Sequence, residues 1–443
     1  MYEKRIAVIG MGYVGLTLSV VLARNGFKIY GIESKKDIVQ NLRSSIPYFH
    51  EARLKVLLDQ VQRLGNLEIC ESFSSETKID TYIICVGTPL KKEDKTPNIE
   101  YIKNCVVDVA NHMNRDCLVI LRSTVPVGVS RNFVIPLLEE ESGLNVGRDF
   151  SFAFAPERTI EGKAIVELET NPQIIGGFDE KSVSLTTDLF IKLTPTVVNV
   201  SSLEAAEMIK ILDNTYRDTR FAYANEIAML CEKLSLDAVE VINAANTHYS
   251  RNNIPVPSPG VGGACLSKDP HILIDFANKA GYDARIIKEG RRINECIPTH
   301  IVNRVEENLK EFNKDIEKSK IFIAGFAFKG EPETSDLRDS TTLWFLDELK
   351  KHTDVDNIFG FDPVVDNSQL DLLGIMVCKT IEEGYSNADV ALFLNNHRSY
   401  LDLDPFEICS KMNKPAIFYD GWRMFEKDLF KKIEGVHYMG VGL

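Results

Sequence analysis

The first 33 residues constrain this chain more than any other stretch. A short apolar run, Arg5–Ile9, leads into Gly10-Met11-Gly12-Tyr13-Val14-Gly15. An apolar helical run, Leu16 to Asn25, follows and is closed by Gly26. A second strand, Lys28–Ile32, ends on Glu33, 23 positions past the first glycine. Strand, glycine turn, helix, strand and acidic residue in this order predict the opening of a doubly wound parallel sheet that binds a dinucleotide. Gly10 allows the turn. Gly12 lets a pyrophosphate reach the backbone where Tyr13 and Val14 open the helix, and Gly15 lets helix and strand pack closely. Glu33 can bond both ribose hydroxyls and repels a 2′-phosphate, which favours NAD over NADP. Lys35 and Lys36 beside it pull the other way.

The α/β alternation continues. Strands are expected at Thr81–Val86, ending in Gly87-Thr88-Pro89, and at Cys117–Leu121, ending in Arg122-Ser123-Thr124-Val125-Pro126. Ligands of open parallel sheets bind beyond the carboxyl ends of the strands, so Thr88, Ser123 and Thr124 are candidates to meet cofactor or substrate. Read blandly, the same three are turn and cap residues. A further strand, Phe150–Ala155, precedes Pro156-Glu157-Arg158-Thr159-Ile160-Glu161-Gly162-Lys163. Those charges suit a solvated loop and a polar-substrate loop equally.

Ser201-Ser202-Leu203-Glu204 reads as a capping box with Ser201 as the cap. Helical periodicity then runs to about Leu234 with no glycine or proline, which predicts a long connecting helix. Lys210 and Asn214 share a face of it. They form an oxyanion or substrate site if the turn is buried, and a solvated lysine if it is not. Helices are also expected at Asp237–Asn246, Pro270–Ala280 and Ile286–Leu309.

Between the first two of these lies Pro257-Ser258-Pro259-Gly260-Val261-Gly262-Gly263-Ala264-Cys265-Leu266-Ser267-Lys268-Asp269-Pro270. Its glycines and prolines predict a tight loop that a ligand can approach closely. With a helix starting near Cys265, Asp269 lies one turn along and Lys268 close by. A helix N-terminus and an ammonium both stabilise a thiolate, so nucleophile, cation and base share one small space. A buried structural cysteine is the alternative.

Around Asn313–Lys320 the chain turns polar, and the α/β rhythm then returns. Strands are expected at Ile321–Ala324, Asn357–Phe361, Ala388–Leu394 and Ala416–Tyr419, in a second doubly wound sheet without the glycine fingerprint. Lys329, Arg338 and Arg423 are cations at strand ends where a phosphate or carboxylate can be held. The fold class is therefore α/β, with two doubly wound Rossmann-like domains (1–200 and 313–443) joined by an all-helical middle domain (201–312).

Lys and Arg number 51 against 64 Asp and Glu, a formal charge of −13, which disfavours nucleic acid or an anionic membrane as partner. The nine cysteines include no CxxC pair, and the eight histidines show no ligand spacing, so neither a disulfide framework nor a metal is expected. No apolar run approaches the roughly 20 residues of a membrane span. With no signal-peptide pattern at the start, the chain reads as a soluble cytoplasmic protein.

Taken together, the chain resembles the UDP-glucose/GDP-mannose dehydrogenase family over essentially its whole length. The carrying motifs are Gly10–Gly15, Val86-Gly87-Thr88-Pro89, Ser123-Thr124-Val125, Pro156-Glu157, Lys210 with Asn214, Gly262-Gly263-Ala264-Cys265 with Lys268-Asp269, Phe328-Lys329, and Asp336-Leu337-Arg338-Asp339-Ser340. The resemblance implies an NAD domain, a helical dimerisation domain giving a homodimer or larger homo-oligomer, and a domain for the UDP part. It implies oxidation of a sugar C6 alcohol to a carboxylate with two NAD, through a thiohemiacetal and a thioester on Cys265. Lys210 and Asn214 would hold the oxyanion. Asp269, Glu161 and Thr124 would handle protons and water. Lys268 and Arg338 would reach the cofactor. Lys329, Arg423, Glu157, Glu161 and Gly262 would meet the substrate, and Arg251 would serve the neighbouring subunit's substrate. After Pro156-Glu157 the glucose enzymes carry phenylalanine. Arg158 here is similar to the branch acting on UDP-N-acetylhexosamines such as UDP-N-acetylmannosamine or UDP-N-acetylglucosamine. UDP-glucose is the runner-up. A two-electron dehydrogenase of the hydroxyacyl-CoA or 6-phosphogluconate kind and a non-catalytic NAD-sensing or scaffold protein are the rivals, and neither needs Cys265.

Overall fold

The structure, a computed structural model, describes residues 4–74 and 76–443. The chain divides into two compact units. One comprises the residues up to Asp213 together with His271–Asp283, and the other comprises Asn214–Pro270 with Ala284–Leu443. The helices of 201–312 are shared between these units and do not form a third compact body.

The first unit is built on eight strands: β1 (Arg5–Ile9), β2 (Lys28–Ile32), β3 (Leu67–Cys70), β4 (Thr81–Ile84), β5 (Leu118–Leu121), β6 (Ser151–Phe154), β7 (Gln173–Gly177) and β8 (Val197–Val200). Their order is β3-β2-β1-β4-β5-β6-β7-β8, and every neighbouring pair is parallel except β6 with β7. The central strands are apolar on both sides, as a sheet covered on both faces requires. Ile6 and Val8 join one core and Ala7 and Ile9 the other, following the period of two. The order reverses between β1 and β4, the switch point where such sheets bind ligands. The loops after β1, β4, β5 and β6 consequently share one edge.

The second unit repeats the plan with β9 (Ile321–Ala324), β10 (Ile358–Phe361), β11 (Met376–Val377), β12 (Val390–Phe393), β13 (Ala416–Asp420) and β14 (Val436–Gly440). All pairs are parallel in the order β11-β10-β9-β12-β13-β14. Ile321 and Ile323 face the buried stripe Ile297, Ile301, Val305 and Leu309 of helix Arg285–Glu311, while Phe322 and Ala324 face the opposite core.

The expected long helix runs from Leu203 to Lys233, 31 residues. Ser202, not Ser201, caps it: the helix starts one residue later than the capping-box reading predicts, and Ser202 Oγ accepts the Ala205 N–H at 3.1 Å. Glu204 turns away to pair with Arg131. Its first turn lies on β7 at Gly176, where a Cβ would overlap the Ser202 carbonyl. Among the described residues no helix is long and apolar enough to cross a membrane.

A Cβ on Gly15 would overlap the carbonyl oxygen of Gly10. Gly15→Ala must therefore push the first helix off β1. The variant is expected to bind NAD at least about tenfold more weakly, a loss of about 1.4 kcal/mol, in a fluorescence titration.

Candidate active site

At the switch point of the first sheet, no side chain caps the helix Tyr13–Arg24 at Gly12, so its first N–H groups are available to an anion. Glu33, at the end of β2, accepts the Met11 N–H at 3.1 Å and the Lys35 N–H at 3.0 Å. Ser123 donates to the Val86 carbonyl at 2.6 Å, tying the β5 end to the β4 end. Thr88 is buried, and its hydroxyl has no protein partner among the described residues. A glycine cradle, an uncapped helix, a carboxylate at the end of the neighbouring strand and an orphan hydroxyl fit a dinucleotide. Thr124 is half-buried beside them.

The loop after β6 is held in shape rather than solvated. Glu157 is buried and takes both Nε and Nη2 of Arg122, at 3.1 and 2.6 Å, and the N–H groups of Arg158 and Thr159, each at 2.7 Å. Arg122 Nη1 also donates to the Ala155 carbonyl and to Gln173, each at 3.0 Å. Burial works against the charge on Glu157, but Arg122, the Thr159 N–H and Lys210 outweigh it and hold the carboxyl below its ordinary value. Lys210 itself is buried, so it is not a lysine on a solvated face. Arg158 reaches the long helix Leu203–Lys233, the spine helix, its Nε 2.7 Å from Asp213. Farther along, Gly162 N–H lies 2.6 Å from the Tyr13 hydroxyl and 2.7 Å from Glu51, and Tyr13 donates to Glu51. The cofactor loop and the Glu157–Gly162 loop thus meet on one buried carboxylate. Glu161, beside Gly162, is half-buried.

In the second unit, Cys265 is exposed. Its carbonyl accepts the Lys268 and Asp269 N–H groups at 3.2 and 2.9 Å, a helical turn that runs into helix Asp269–Lys279. Asp269 is fully buried, bonded to Lys268 Nζ at 2.7 Å and to Asn214 Nδ2 at 2.5 Å. Of the expected cysteine-loop cluster, Lys268 and Asp269 are hydrogen-bonded to each other one turn after Cys265, and Asn214, expected to pair with Lys210, bonds Asp269. By contrast, burial pushes the thiols of Cys85, Cys117 and Cys409 up to about 12.

The room that the loop glycines leave is taken by protein. A Cβ on Gly262 would overlap the Asp339 carbonyl, one on Gly263 would lie 2.5 Å from the Phe328 ring, and one on Gly260 would lie 2.9 Å from the Asn294 carbonyl. Beneath the loop, fully buried Arg291 donates to the carbonyls of Val261 (2.7 Å) and Leu266 (3.0 Å) and pairs with Asp218 at 2.6 Å. Asn294 also donates to Asp218, at 2.8 Å.

The remaining cations are distributed. Lys329 is buried with its ammonium 5.5 Å from the Phe328 ring. Arg338 is exposed and bound to Asp336. Arg251 is exposed over the Tyr249 ring. Arg423, expected to meet a ligand, is buried in a two-point ion pair with Asp237 at 2.8 and 3.1 Å, which occupies its fork. Sequence reasoning gives no role to Arg122, Glu51, Asp218, Arg291 or Asp339. Helical spacing alone places Arg291 and Asn294 on the face of Ile297 and Ile301, a signal that both are buried.

Family models for the UDP-glucose/GDP-mannose dehydrogenases match in three parts: the NAD-binding domain at residues 4–194, the central domain at 204–296 and the UDP-binding domain at 322–427. The chain belongs to this family. It is an NAD-dependent nucleotide-sugar dehydrogenase, and the UDP-binding part points to a UDP-sugar substrate. It is 32% identical over 417 residues to a UDP-N-acetyl-D-mannosamine dehydrogenase of Pyrococcus horikoshii, covering 94% of this chain and 95% of that protein. A Campylobacter jejuni protein of the same name is 31% identical, over 92% of this chain and 98% of its own. Among solved structures, the P. horikoshii enzyme superposes with a TM-score of 0.89 over 99% of both chains. A UDP-glucose dehydrogenase from Pyrobaculum islandicum, at 25% identity, superposes with 0.87 over 100% of this chain and 98% of that one.

Replacing Arg122 by Met strands a buried carboxylate, so the dehydrogenase should lose about 3 kcal/mol of stability at neutral pH. In the native protein the Glu157 carboxyl is depressed, and its stabilising contribution persists above its unfolded value, near 4.3. In the variant the same carboxyl is raised. Its penalty is full above that raised value and shrinks as the pH falls toward 4.3. Urea titrations should show the gap between wild type and Arg122→Met narrowing from pH 8 to pH 5.

Proposed function

We propose that the enzyme oxidises the C6 alcohol of a UDP-N-acetylhexosamine, UDP-N-acetylmannosamine in the first place, to the uronate by way of a Cys265 thioester. The observation that carries this reading is an exposed cysteine one turn ahead of a helix, beside a buried aspartate held by Lys268 and Asn214. The substrate choice is supported by Arg158 and by the names of the full-length relatives.

Gly10–Gly15, Glu33, Thr88 and Ser123 would hold NAD, and two NAD molecules in succession would each supply the acceptor for one hydride. Glu161 takes the alcohol proton of the first oxidation, relayed through the Thr124 hydroxyl. Cys265 Sγ then adds to the aldehyde carbon. A C–S bond forms, and the carbonyl oxygen becomes an oxyanion stabilised by Lys210 and Asn214. This capture gives the second oxidation a tetrahedral centre with a hydrogen to lose and stops the aldehyde from escaping. Loss of the second hydride leaves a thioester. Asp269 orients a water that adds to it, the C–S bond breaks, and the thiolate leaves as the carboxylate forms. Lys210 also lowers the Glu157 carboxyl, so the loop and the oxyanion site share one charge. Lys329 and Gly262 are assigned to the UDP-sugar and Arg338 to the cofactor. A cytoplasmic location accords with this chemistry.

A homodimer is part of the same reading. Leu212, Tyr216, Tyr223 and Leu230 are 53%, 62%, 54% and 53% exposed on the spine helix. At 100° per residue they fall within about 40° of one another, an apolar stripe that a second copy would cover. Arg251 would then serve the partner's site.

With limiting sugar nucleotide, about two NADH should form per UDP-N-acetylmannosamine, with UDP-N-acetylglucosamine and UDP-glucose consumed more slowly. One NADH per sugar would refute the thioester route. Cys265→Ser should lose at least about 10³-fold in kcat, about 4 kcal/mol.

Light scattering should give a dimer mass for the wild type and a monomer mass for Tyr216→Asp/Leu230→Asp at micromolar concentration.

A further inference from the structure

Within the Asp336–Ser340 motif, Asp339 has no task in the sequence reading or in the proposed chemistry. It holds a left-handed backbone, with φ 51°, a conformation that costs an L-residue energy unless the surroundings impose it. That conformation aims its carbonyl at the cysteine loop, where it accepts the Gly263 N–H at 2.8 Å. The same oxygen occupies the space that a Cβ on Gly262 would need. Its side chain reaches the other end of the turn: Asp339 Oδ2 lies 3.0 Å from Ser267 Oγ, which is also 2.8 Å from the Gly263 carbonyl. Gly263 and Ser267 are the residues two before and two after Cys265. One residue thus holds both ends of the five-residue turn that carries the thiol, while the thiol itself is exposed.

We propose that Asp339 is a positioning residue for Cys265, acting through Gly263 and Ser267. Its backbone carbonyl sets where the turn begins, and its carboxylate sets where Ser267 sits. Between them they fix the height of the thiol above the helix that starts at Asp269. A turn released at Ser267 loosens the backbone bonds around Cys265, from the Ser267 N–H to the Gly263 carbonyl and from the Asp269 N–H to the Cys265 carbonyl. The thiol then loses the helix-terminal field that favours its thiolate. The charge of Asp339 is not needed for this role. Asparagine tolerates the left-handed backbone and offers an amide oxygen to Ser267, whereas alanine offers neither.

The inference rests on Cys265 being the nucleophile, so its test has one readout that does not. The alkylation rate of Cys265 by iodoacetamide is followed from pH 6 to 9 by mass spectrometry of its own peptide, which separates it from the other cysteines. Asp339→Ala should raise the pH midpoint of alkylation by at least half a unit. It should also lower kcat on the UDP-sugar at least thirtyfold while changing KM less than threefold. Asp339→Asn should restore both to within threefold of wild type. Ser267→Ala, which leaves the strained backbone untouched, should shift the midpoint in the same direction by a smaller amount, and it decides the matter if Asp339→Ala does not fold. An unchanged midpoint in Asp339→Ala and Ser267→Ala, or an Asp339→Asn variant as impaired as Asp339→Ala, would overturn the proposal. If Cys265→Ser kept turnover while the midpoint still shifted, the thioester reading would fall and the positioning of the thiol would stand.

Discussion

The glycines of the cysteine loop have no room for side chains, and much else in the second unit follows from that. Its glycines are needed because the Asn294 carbonyl, the Asp339 carbonyl and the Phe328 ring stand where their side chains would be. A loop pressed against three other segments has little freedom left, so the entropy of ordering it is lost on folding rather than on meeting substrate. That is the condition under which polar groups stabilise a developing charge without rearranging. The loop is thus tight on its protein side and open at Cys265.

Two buried arginines extend the same principle. Arg122 holds a carbonyl, a glutamine and Glu157 in the first unit, and Arg291 holds two loop carbonyls and Asp218 in the second. Burying an ion pair returns little net stability compared with an apolar pair of the same volume. Here each guanidinium also satisfies backbone carbonyls that have no neighbour in a helix or a strand. An apolar replacement would leave those oxygens buried and unbonded, at about 1–3 kcal/mol each. The arginines are best understood as the hydrogen-bond partners of irregular backbone, with the carboxylates neutralising them.

What was legible in the sequence follows from how local each signal is. The glycine fingerprint, the strand ends at Thr88 and Ser123, and the Cys265–Asp269 turn are set by residues within a few positions of one another, and the fold keeps them. Strands β9 and β13 fall within a residue of their expected bounds, because short apolar runs between polar turns have one reading. Strands β7 and β8 escape notice: Gln173–Gly177 ends in two glycines, and β8 is a part-exposed edge strand. The glycine at 176 makes sense only once the spine helix is seen against it. Glu51, Asp218 and Asp339 act on groups 111, 73 and 72 residues away in sequence, and no pattern in a single chain announces such pairings. Arg423 errs the other way. A cation at a strand end suggests an anionic ligand, but Asp237, 186 residues distant, satisfies it.

On the proposed reading, Arg158 ties substrate choice to this framework. A guanidinium carries five N–H donors in a rigid plane, and the Asp213 contact engages Nε alone. Asp213 immediately precedes Asn214 on the spine helix, so the contact fixes the loop of Glu157 against the turn that carries Lys210 and Asn214. A phenylalanine at this position would fill space but could neither anchor on Asp213 nor donate to a carbonyl. On the proposed reading, an acetamido group supplies such a carbonyl where glucose offers a smaller hydroxyl. The residue that separates the branches in sequence would then do so because it is held, at one nitrogen, by the helix that carries the oxyanion site.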